Sequence, residues 1–557
     1  MASRRPYLSK SRIISAWQCP KKLHLEKHRP DLGQISDRTE SLFVTGHEVG
    51  AVAQAHYGTG ESVEIPFNRN INLMVRETRE LLDGGADFPI FEATFRYENV
   101  LVRVDVLLPD GDGWHAIEVK ASTSVKDYHL LDCAIQDWVL RYSGRNVTAM
   151  SLAHIDNRFV YPGAGNYEGL LTEIDVTEDV RTVEPTVVEL IAAARNAVTG
   201  PMPNIHVGIQ CNKPYECQFM QHCWPAATEY PIAGLGGSKA KLGEYVALGY
   251  EDIREVDAAS ITAETQLRIH RVTQTGEPEI FDGAKADLDA LTYPRYYLDF
   301  ETIGPGVPIW PGTRPYAAIP VQWSCHIEDR PKEGNRGEIR HEEFLDLSGE
   351  PPMRALAEKM IASLGDSGPV LMYTNYEQKV MEGLIEMFPD LASPLEKIIN
   401  RLMDLHPVVK QNYYHPDMLG SWSIKAVLPT INPEMDYKKL EGIAEGMGAS
   451  DGFIEAINPE TDMVRKQELE QQLLRYCKFD SAPRALSLKG GEVEVVPVMD
   501  VMLRPCNGYG CAGYIVNEVA VFSSHLPLPP LPPVPLGWSS CSEKYRSWLN
   551  RVLQPMR

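Results

Sequence analysis

Long apolar runs are missing from this chain of 557 residues: no stretch approaches the roughly 18 consecutive apolar residues of a membrane span. The opening MASRRPYLSKSR is basic but leads into no apolar segment. That argues against a secretory signal and makes the cytoplasm the expected compartment, with no membrane partner. Basic residues are outnumbered, 54 Lys and Arg against 76 Asp and Glu, for a formal net charge of −22. Such a balance excludes coating nucleic acid by bulk charge and leaves room for a local basic groove. Cysteine is sparse, with 10 in all, too few for a disulfide scaffold; in a reducing compartment a cluster of them points to metal. Internal repeats and flavin or nicotinamide signatures are absent as well, which counts against redox catalysis.

What remains is 43% hydrophobic and 23% charged, the composition of a globular protein long enough for two or more domains. Four zones are expected: residues 1–225, bounded by cysteines; a helical linker, 226–290, with LGYEDIREV (248–256) as the turn of a helical hairpin; an α/β unit, 291–490; and a tail, 491–557. HLPLPPLPPVPLGW in the tail suits polyproline II and not a packed core, so the tail reads as disordered, with a recognition segment as the alternative.

The segment RYYLDFETIGPG (295–306) reads as a buried strand carrying Asp299 and Glu301. Side chains at i and i+2 share a face, so two carboxylates stand together on apolar framework. Burial and repulsion oppose this unless a positive charge lies between them. Further on, Glu377 opens a helix after PVLMYTN, Asp404 sits in RLMDLHPVV, and Tyr476 and Asp480 share a face of the helix in ELEQQLLRYCKFD. Singly, each acid suits a surface group or a helix cap, and Tyr476 suits a core tyrosine. Together, Asp299-x-Glu301, Glu377, Asp404 and Tyr476-x-x-x-Asp480 form a series that resembles the DnaQ-like 3′→5′ exonucleases with a Tyr-x-x-x-Asp motif. Glu377 stands where most members carry Asp. The resemblance implies a ribonuclease H-like fold and Mg²⁺ or Mn²⁺ held by Asp299, Glu301 and Asp480. Tyr476 would orient the attacking water.

In LVRVDVLLPDGDGWHAIEVK, one strand carries Asp105, a turn at PDGDG follows, and the next strand carries Glu118 and Lys120. A hairpin can set these beside one another, although from this segment alone a cross-strand ion pair on a solvated sheet is the commoner reading. An amphipathic helix, YHLLDCAIQDWVLRYSG, follows with Gln136 and Tyr142. Asp, Glu-x-Lys and a helical Gln in this order resemble the PD-(D/E)XK nucleases, where the acids, here Asp105 and Glu118, hold metal and the lysine offsets charge. Cys19 opens this zone, and Cys211, Cys217 and Cys223 close it, without the paired CxxC spacing of a zinc ribbon. One N-terminal and three C-terminal cysteines around such a core resemble the RecB-like CRISPR-associated nucleases, which implies a 4Fe–4S cluster; zinc is the alternative, and unliganded thiols remain open. Cys133, Cys325 and Cys477 read as core. That family's upstream histidine position falls at Gly50, with His47 and Glu48 as the neighbours able to replace it.

Candidate nucleic-acid contacts are Lys21, Lys22, Lys27 and Arg29, which suit a solvated helix face equally well, then Arg314 and Tyr316 as phosphate clamp and stacking platform, and Tyr413 and Tyr414. The whole order, marked by LDFET, PGTRPY and YCKFD, resembles over residues 10–490 a bacterial fusion family of unknown function that joins a RecB-like nuclease to a DnaQ-like exonuclease. It implies an α/β, multi-domain protein with a restriction-endonuclease-like and a ribonuclease H-like domain. The implied activity is hydrolysis of single-stranded DNA at two metal-dependent sites, in repair, processing or defence. A nucleic-acid-binding protein with inactive sites, or an iron–sulfur redox sensor, is the competing expectation.

Overall fold

Residues 90–120 form three consecutive strands of an antiparallel meander, buried on both faces over much of their length. The computed structural model describes residues 7–58, 60–225, 228–330, 338–440, 442–443, 445–481, 488–489 and 492–493. The chain is mixed α/β. Its first sheet contains β1 (Leu8–Ser9), β2 (Val63–Glu64), β3 (Ile90–Tyr97), β4 (Val100–Asp110), β5 (Gly113–Lys120), β6 (Val147–Ile155) and β7 (Leu171–Asp175). The strand order is β2-β3-β4-β5-β6-β7, with β1 beside β4. β3, β4 and β5 are antiparallel, while β6 runs parallel to β5. The helices that matter here are α1 (Lys10–Gln18), α2 (Pro20–His28), α3 (Asp37–Tyr57), α4 (Asp127–Tyr142) and α5 (Glu184–Thr199).

Two sequence expectations need correction in this sheet. The turn expected at PDGDG is shorter, because β4 continues through Pro109 and Asp110, which pair with Trp114 and Gly113. Helix α4 is not amphipathic: every residue from Leu131 to Leu140 is buried. It is covered by the sheet on one side and by α1 and α5 on the other, so no polar stripe survives.

The second sheet is built from β8 (Arg295–Ile303), β9 (Ile319–Glu328), β10 (Ile339–Leu345), β11 (Val370–Met372) and β12 (Leu402–Asp404), ordered β10-β9-β8-β11-β12. β8, β9 and β10 are antiparallel, whereas β11 and β12 run parallel to β8. The acid-bearing β8 is therefore central. Around it lie α6 (Tyr376–Met387), α7 (Ile424–Ile431) and α8 (Met463–Ser481).

The segment expected as a helical linker has a core of its own. Leu242, Tyr245 and Ile269 pack with Trp224 from the first unit and with Tyr414 and Trp422 from the second. Residues 248–256 do lie between helices, Lys239–Ala247 and Glu264–Thr275. A separate apolar cluster joins α3 to the second unit: Val49 and Val52 pack with Ile155, Tyr161, Tyr167 and Val307. The approach is close, since a Cβ on Gly306 would stand 2.4 Å from the Thr45 methyl. Among the described residues no helix is long and apolar enough to cross a membrane. Apart from residues 492–493, the tail expected at 491–557 lies outside the described residues.

Candidate functional site

The first acid group forms where β4 and β5 part. Their ladder is regular from Asp110 and Gly113 to Val106 and Ile117, and beyond that Asp105 bonds to β5 through its side chain, Oδ2 accepting from the Val119 amide at 2.7 Å. Glu118 Oε1 accepts from Lys120 Nζ at 2.6 Å and from Lys10 Nζ at 2.7 Å, and Gln136 Nε2 donates to Oε2. Asp132 Oδ2 accepts from Lys120 Nζ at 2.5 Å and stands 3.3 Å from Lys10 Nζ. The expected Asp105, Glu118, Lys120 and Gln136 are thus brought together, and the group is buried rather than solvated: Glu118 is 2% exposed. Burial opposes the charge of Glu118, but Lys10 and Lys120 outweigh it and hold the carboxyl well below the usual range. Burial and then the charge of Glu118 push Asp105 well above that range. Lys120 stays firmly protonated, because Asp132 and Glu118 overcome its burial.

Sequence reasoning missed Lys10, Asp132 and Glu92. Asp132 had a signal, since it lies four residues before Gln136 on one helix face. Lys10 had none, being more than a hundred residues away in the chain. Glu92 adopts φ 58° inside β3, a left-handed conformation that a non-glycine residue rarely takes; its neighbours Phe91 and Ala93 pair with Val106 and Val104, which sets it opposite Asp105. Conversely, Tyr142 leaves the site and bonds Glu184. His47 is exposed. Burial raises Glu48 to about 7, and its charge is felt by Tyr167 and Tyr316, so it faces the junction between the units.

The second acid group lies on β8 under α8. Gln322 and Ser324 of β9 pair with Glu301 and Asp299, so all four side chains share the face that α8 covers. Oxygens of Asp299 and Glu301 and the Cys477 sulfur lie within 4.8 Å of one another. Burial, with the carboxylates next, raises the Cys477 thiol well above its usual range. A neutral thiol is no ligand for a hard cation, so Cys477 lines the floor while the oxygens are the donors that fit Mg²⁺ or Mn²⁺. Burial and Asp480 push Glu301 up, with Lys425 opposing. Tyr437 Oη donates to Asp480 Oδ1.

Lys425 is a further residue that the sequence did not mark. Its Nζ donates to Tyr476 Oη at 3.1 Å. Burial and the surrounding carboxylates keep Tyr476 a neutral phenol. Glu377 is buried in the first turn of α6, where a helix N-terminus favours negative charge. The adjacent Tyr376 feels Glu301, Asp299 and Glu377 together.

Asp404 is not brought into this group. It ends β12, two strands from β8, a separation of roughly 10 Å. Its Oδ1 accepts from the His406 and Thr374 amides, both at 2.8 Å, which makes it a helix cap that also ties down a loop.

The cysteines converge. Cys19, at the junction of α1 and α2, lines one cavity with Cys211, Cys217, Cys223, Lys21 and Lys22. Burial raises Cys217 to about 11, with Lys22 opposing. Among the described residues no three of these sulfurs lie within 4.8 Å of one another. Tetrahedral zinc, at a Zn–S distance of about 2.3 Å, brings its sulfurs to roughly 3.8 Å. Four thiol side chains on one cavity are a donor set that suits either a zinc ion or an iron–sulfur centre. Cys133 and Cys325 are buried core residues, as expected.

The expected nucleic-acid contacts divide. Tyr413 and Tyr414 are 5% and 0% exposed and belong to the core, their hydroxyls bonded to Thr430 and the Gly420 amide. Arg29 pairs with Asp31, and Lys22 with Gln18, whereas Arg314 and Tyr316 reach the surface. Residues 296–423, which include Asp299, Glu301, Glu377 and Asp404 but not Tyr476 or Asp480, match the family model described as "Domain of unknown function (DUF2779)". No curated protein and no solved structure matches the chain.

Proposed function

We propose that the chain is a metal-dependent nuclease with two sites that hydrolyses single-stranded DNA, the second unit working from the 3′ end. One observation carries the reading: Asp299, Glu301, Asp480 and Tyr476 converge on a central strand at a position that apolar packing alone would not select. The site lies on β8, where the strand order reverses between β8 and β11, and such switch points favour ligand crevices in α/β sheets. The strand orders of the two sheets suit the ribonuclease H-like and PD-(D/E)XK frameworks.

A divalent cation held by Asp299, Glu301 and Asp480 would supply water activation and charge relief on the leaving oxygen. Tyr476, fixed by Lys425, offers a neutral hydroxyl proton to orient water or a phosphate oxygen. In the first site Asp105 and Glu118 would hold metal. Gln136 fixes Glu118, and Lys120 presents a permanent positive charge to a phosphorane-like transition state. Cys19, Cys211, Cys217 and Cys223 would hold a 4Fe–4S cluster that staples the ends of the first unit. A second reading has its own support: Lys10 and Lys120 already offset most of the acid charge in the first site, as in an inactive binding domain.

End-labelled single strands digested with Mn²⁺ test the reading. Wild type shortens strands from the 3′ end, Asp299→Ala loses that activity, and Lys120→Ala keeps it. Wild-type protein that binds no Mn²⁺ and leaves both labels intact would overturn it.

A further inference from the structure

We propose that the cleft between the two units binds the sugar–phosphate backbone of a single-stranded nucleic acid and leads it from one acid group to the other. The direction of travel rests on the nuclease reading above; the binding rests on the cleft alone. Its volume is about 500 Å³, and its lining includes Ser122, Thr123, Lys126, Asn157, Arg314 and Tyr316. Among the described residues neither Lys126 nor Arg314 forms an ion pair. Two cations outside any ion pair facing one cavity stand out in a chain of net charge −22, and Thr123 and Asn157 add neutral hydrogen-bond donors, the Ser122 hydroxyl being turned to the Ser124 carbonyl.

The cleft is built rather than incidental. Tyr316 has φ 59°, a left-handed backbone held in place as its hydroxyl donates to the Ala121 carbonyl at 2.8 Å across the junction. Two backbone bonds fasten the same loop: Tyr161 N to Thr313 O at 3.0 Å, and Gly312 N to Tyr161 O at 2.8 Å. Tyr316 remains 38% exposed, and an aromatic face beside paired cations suits a stacked base next to its phosphates. Lys126 also occupies the N-cap position of α4, without a capping bond from its side chain, so the helix dipole adds to the positive potential beside it.

The walls of the cleft grow out of the strands that carry the two sites. Ala121 follows Lys120 directly. Ala317 lies five residues before Gln322, the partner of Glu301. At about 3.3 Å per extended residue, Glu118 is no more than roughly 10 Å from the cleft along the chain, and Gln322 no more than roughly 17 Å.

The test is fluorescence anisotropy, without divalent metal, of a fluorescein-labelled thymidine oligonucleotide of about 20 nucleotides, with a uridine ribo-oligonucleotide as second arm to separate DNA from RNA. The Lys126→Ala/Arg314→Ala protein should bind about tenfold more weakly, and its plot of log affinity against log salt should be shallower by about 1.4, or about 0.7 for each lost contact. Arg314→Lys alone, which keeps both charges, should retain most of the wild-type slope. Both residues are exposed, so unchanged circular dichroism melts are expected. Wild type that binds neither oligonucleotide, or a double variant with wild-type affinity and slope, overturns the cleft. If the double variant loses binding while wild type cuts nothing with Mn²⁺, the cleft stands and the nuclease reading falls. If wild type cuts and the double variant still binds like it, the reverse holds.

Discussion

The hydroxyl oxygens of Ser324 and Ser481 stand 2.6 Å apart, joining β9 to the last residue of α8, one position after Asp480. His341 Nε2 lies 2.7 Å from Ser324 Oγ and His326 Nδ1 lies 3.0 Å from Ser481 Oγ. Gln322 Nε2 donates to the Leu473 carbonyl at 3.0 Å, one helical turn before Tyr476. These pins fix the distance between the β8 acids and the α8 pair. Ser481→Ala leaves a buried hydroxyl and an imidazole nitrogen short of a partner, so it should cost about 1–3 kcal/mol in urea unfolding. Cleavage by the second unit should fall more in kcat than in KM, as expected for a group that positions Asp480 without touching substrate.

The same cluster predicts acid sensitivity. Burial, with the neighbouring His341 next, lowers His326 to about 3; burial and Lys478 lower His341 to about 4, both from 6.5. The unfolded chain therefore takes up protons first as pH drops. The stability owed to neutral imidazoles is complete above 6.5 and is lost progressively below it, down to the folded values. The slope should approach about 1.4 kcal/mol per pH unit for His326. Unfolding free energies measured by urea from pH 7 to pH 4 should show it, and His326→Leu should reduce it.

Strands were the most readable part of the sequence, because alternation and β-branched content state a strand's faces locally. Asp299 with Glu301, and Glu118 with Lys120, could be paired on those grounds alone. Residues such as Lys10 and Lys425 could not, since their partners are fixed only by packing of distant elements, and an isolated lysine looks the same on a surface. Asp404 misled for the opposite reason: an acid at the start of a helix has the same local pattern whether it caps amides or binds metal. Tyr413 and Tyr414 misled because an aromatic pair in a polar segment gives no sign that a third core, shared by residues 207–427, will bury it.

Asp404 supplies a direct contrast. As a helix cap its replacement by alanine should cost about 1 kcal/mol in stability and leave 3′-end cleavage within about twofold. Asp299→Ala should abolish cleavage without lowering the melting temperature, because it removes one of two mutually repelling carboxylates. Parallel melting curves and end-labelled digests decide the matter. Equal loss of cleavage in both variants would place Asp404 in the site.

The cysteine cluster predicts colour. Anaerobically purified protein should absorb near 400 nm, and Cys217→Ala should lose both the absorbance and bound iron. It should also melt at lower temperature, because α1, α2 and the 211–223 segment would then lose that cross-link and keep only the packing of Leu25 on Phe219 and bonds such as Gln18 Nε2 to the Gln210 and Tyr215 carbonyls, at 2.8 and 2.7 Å. A colourless preparation with stoichiometric zinc would overturn the iron–sulfur proposal.

Lys10 separates the two readings of the first site. It stands between Glu118 and Asp132, its side chain 19% exposed against their 3% and 10%. Its removal leaves buried carboxylates with only Lys120 to balance them, and breaking such a pair costs about 3–5 kcal/mol. Lys10→Ala should therefore unfold at lower urea. If the acids also form a cation site, Mn²⁺ should restore the lost stability in a concentration-dependent way, because binding to the folded state alone adds free energy by mass action. The rescue should disappear in Lys10→Ala/Glu118→Gln, which lacks the central ligand. A Lys10→Ala protein that stays destabilised at saturating Mn²⁺ would mean that the lysines, not a metal, are the permanent counter-ions, and that the first site holds the fold together without cutting.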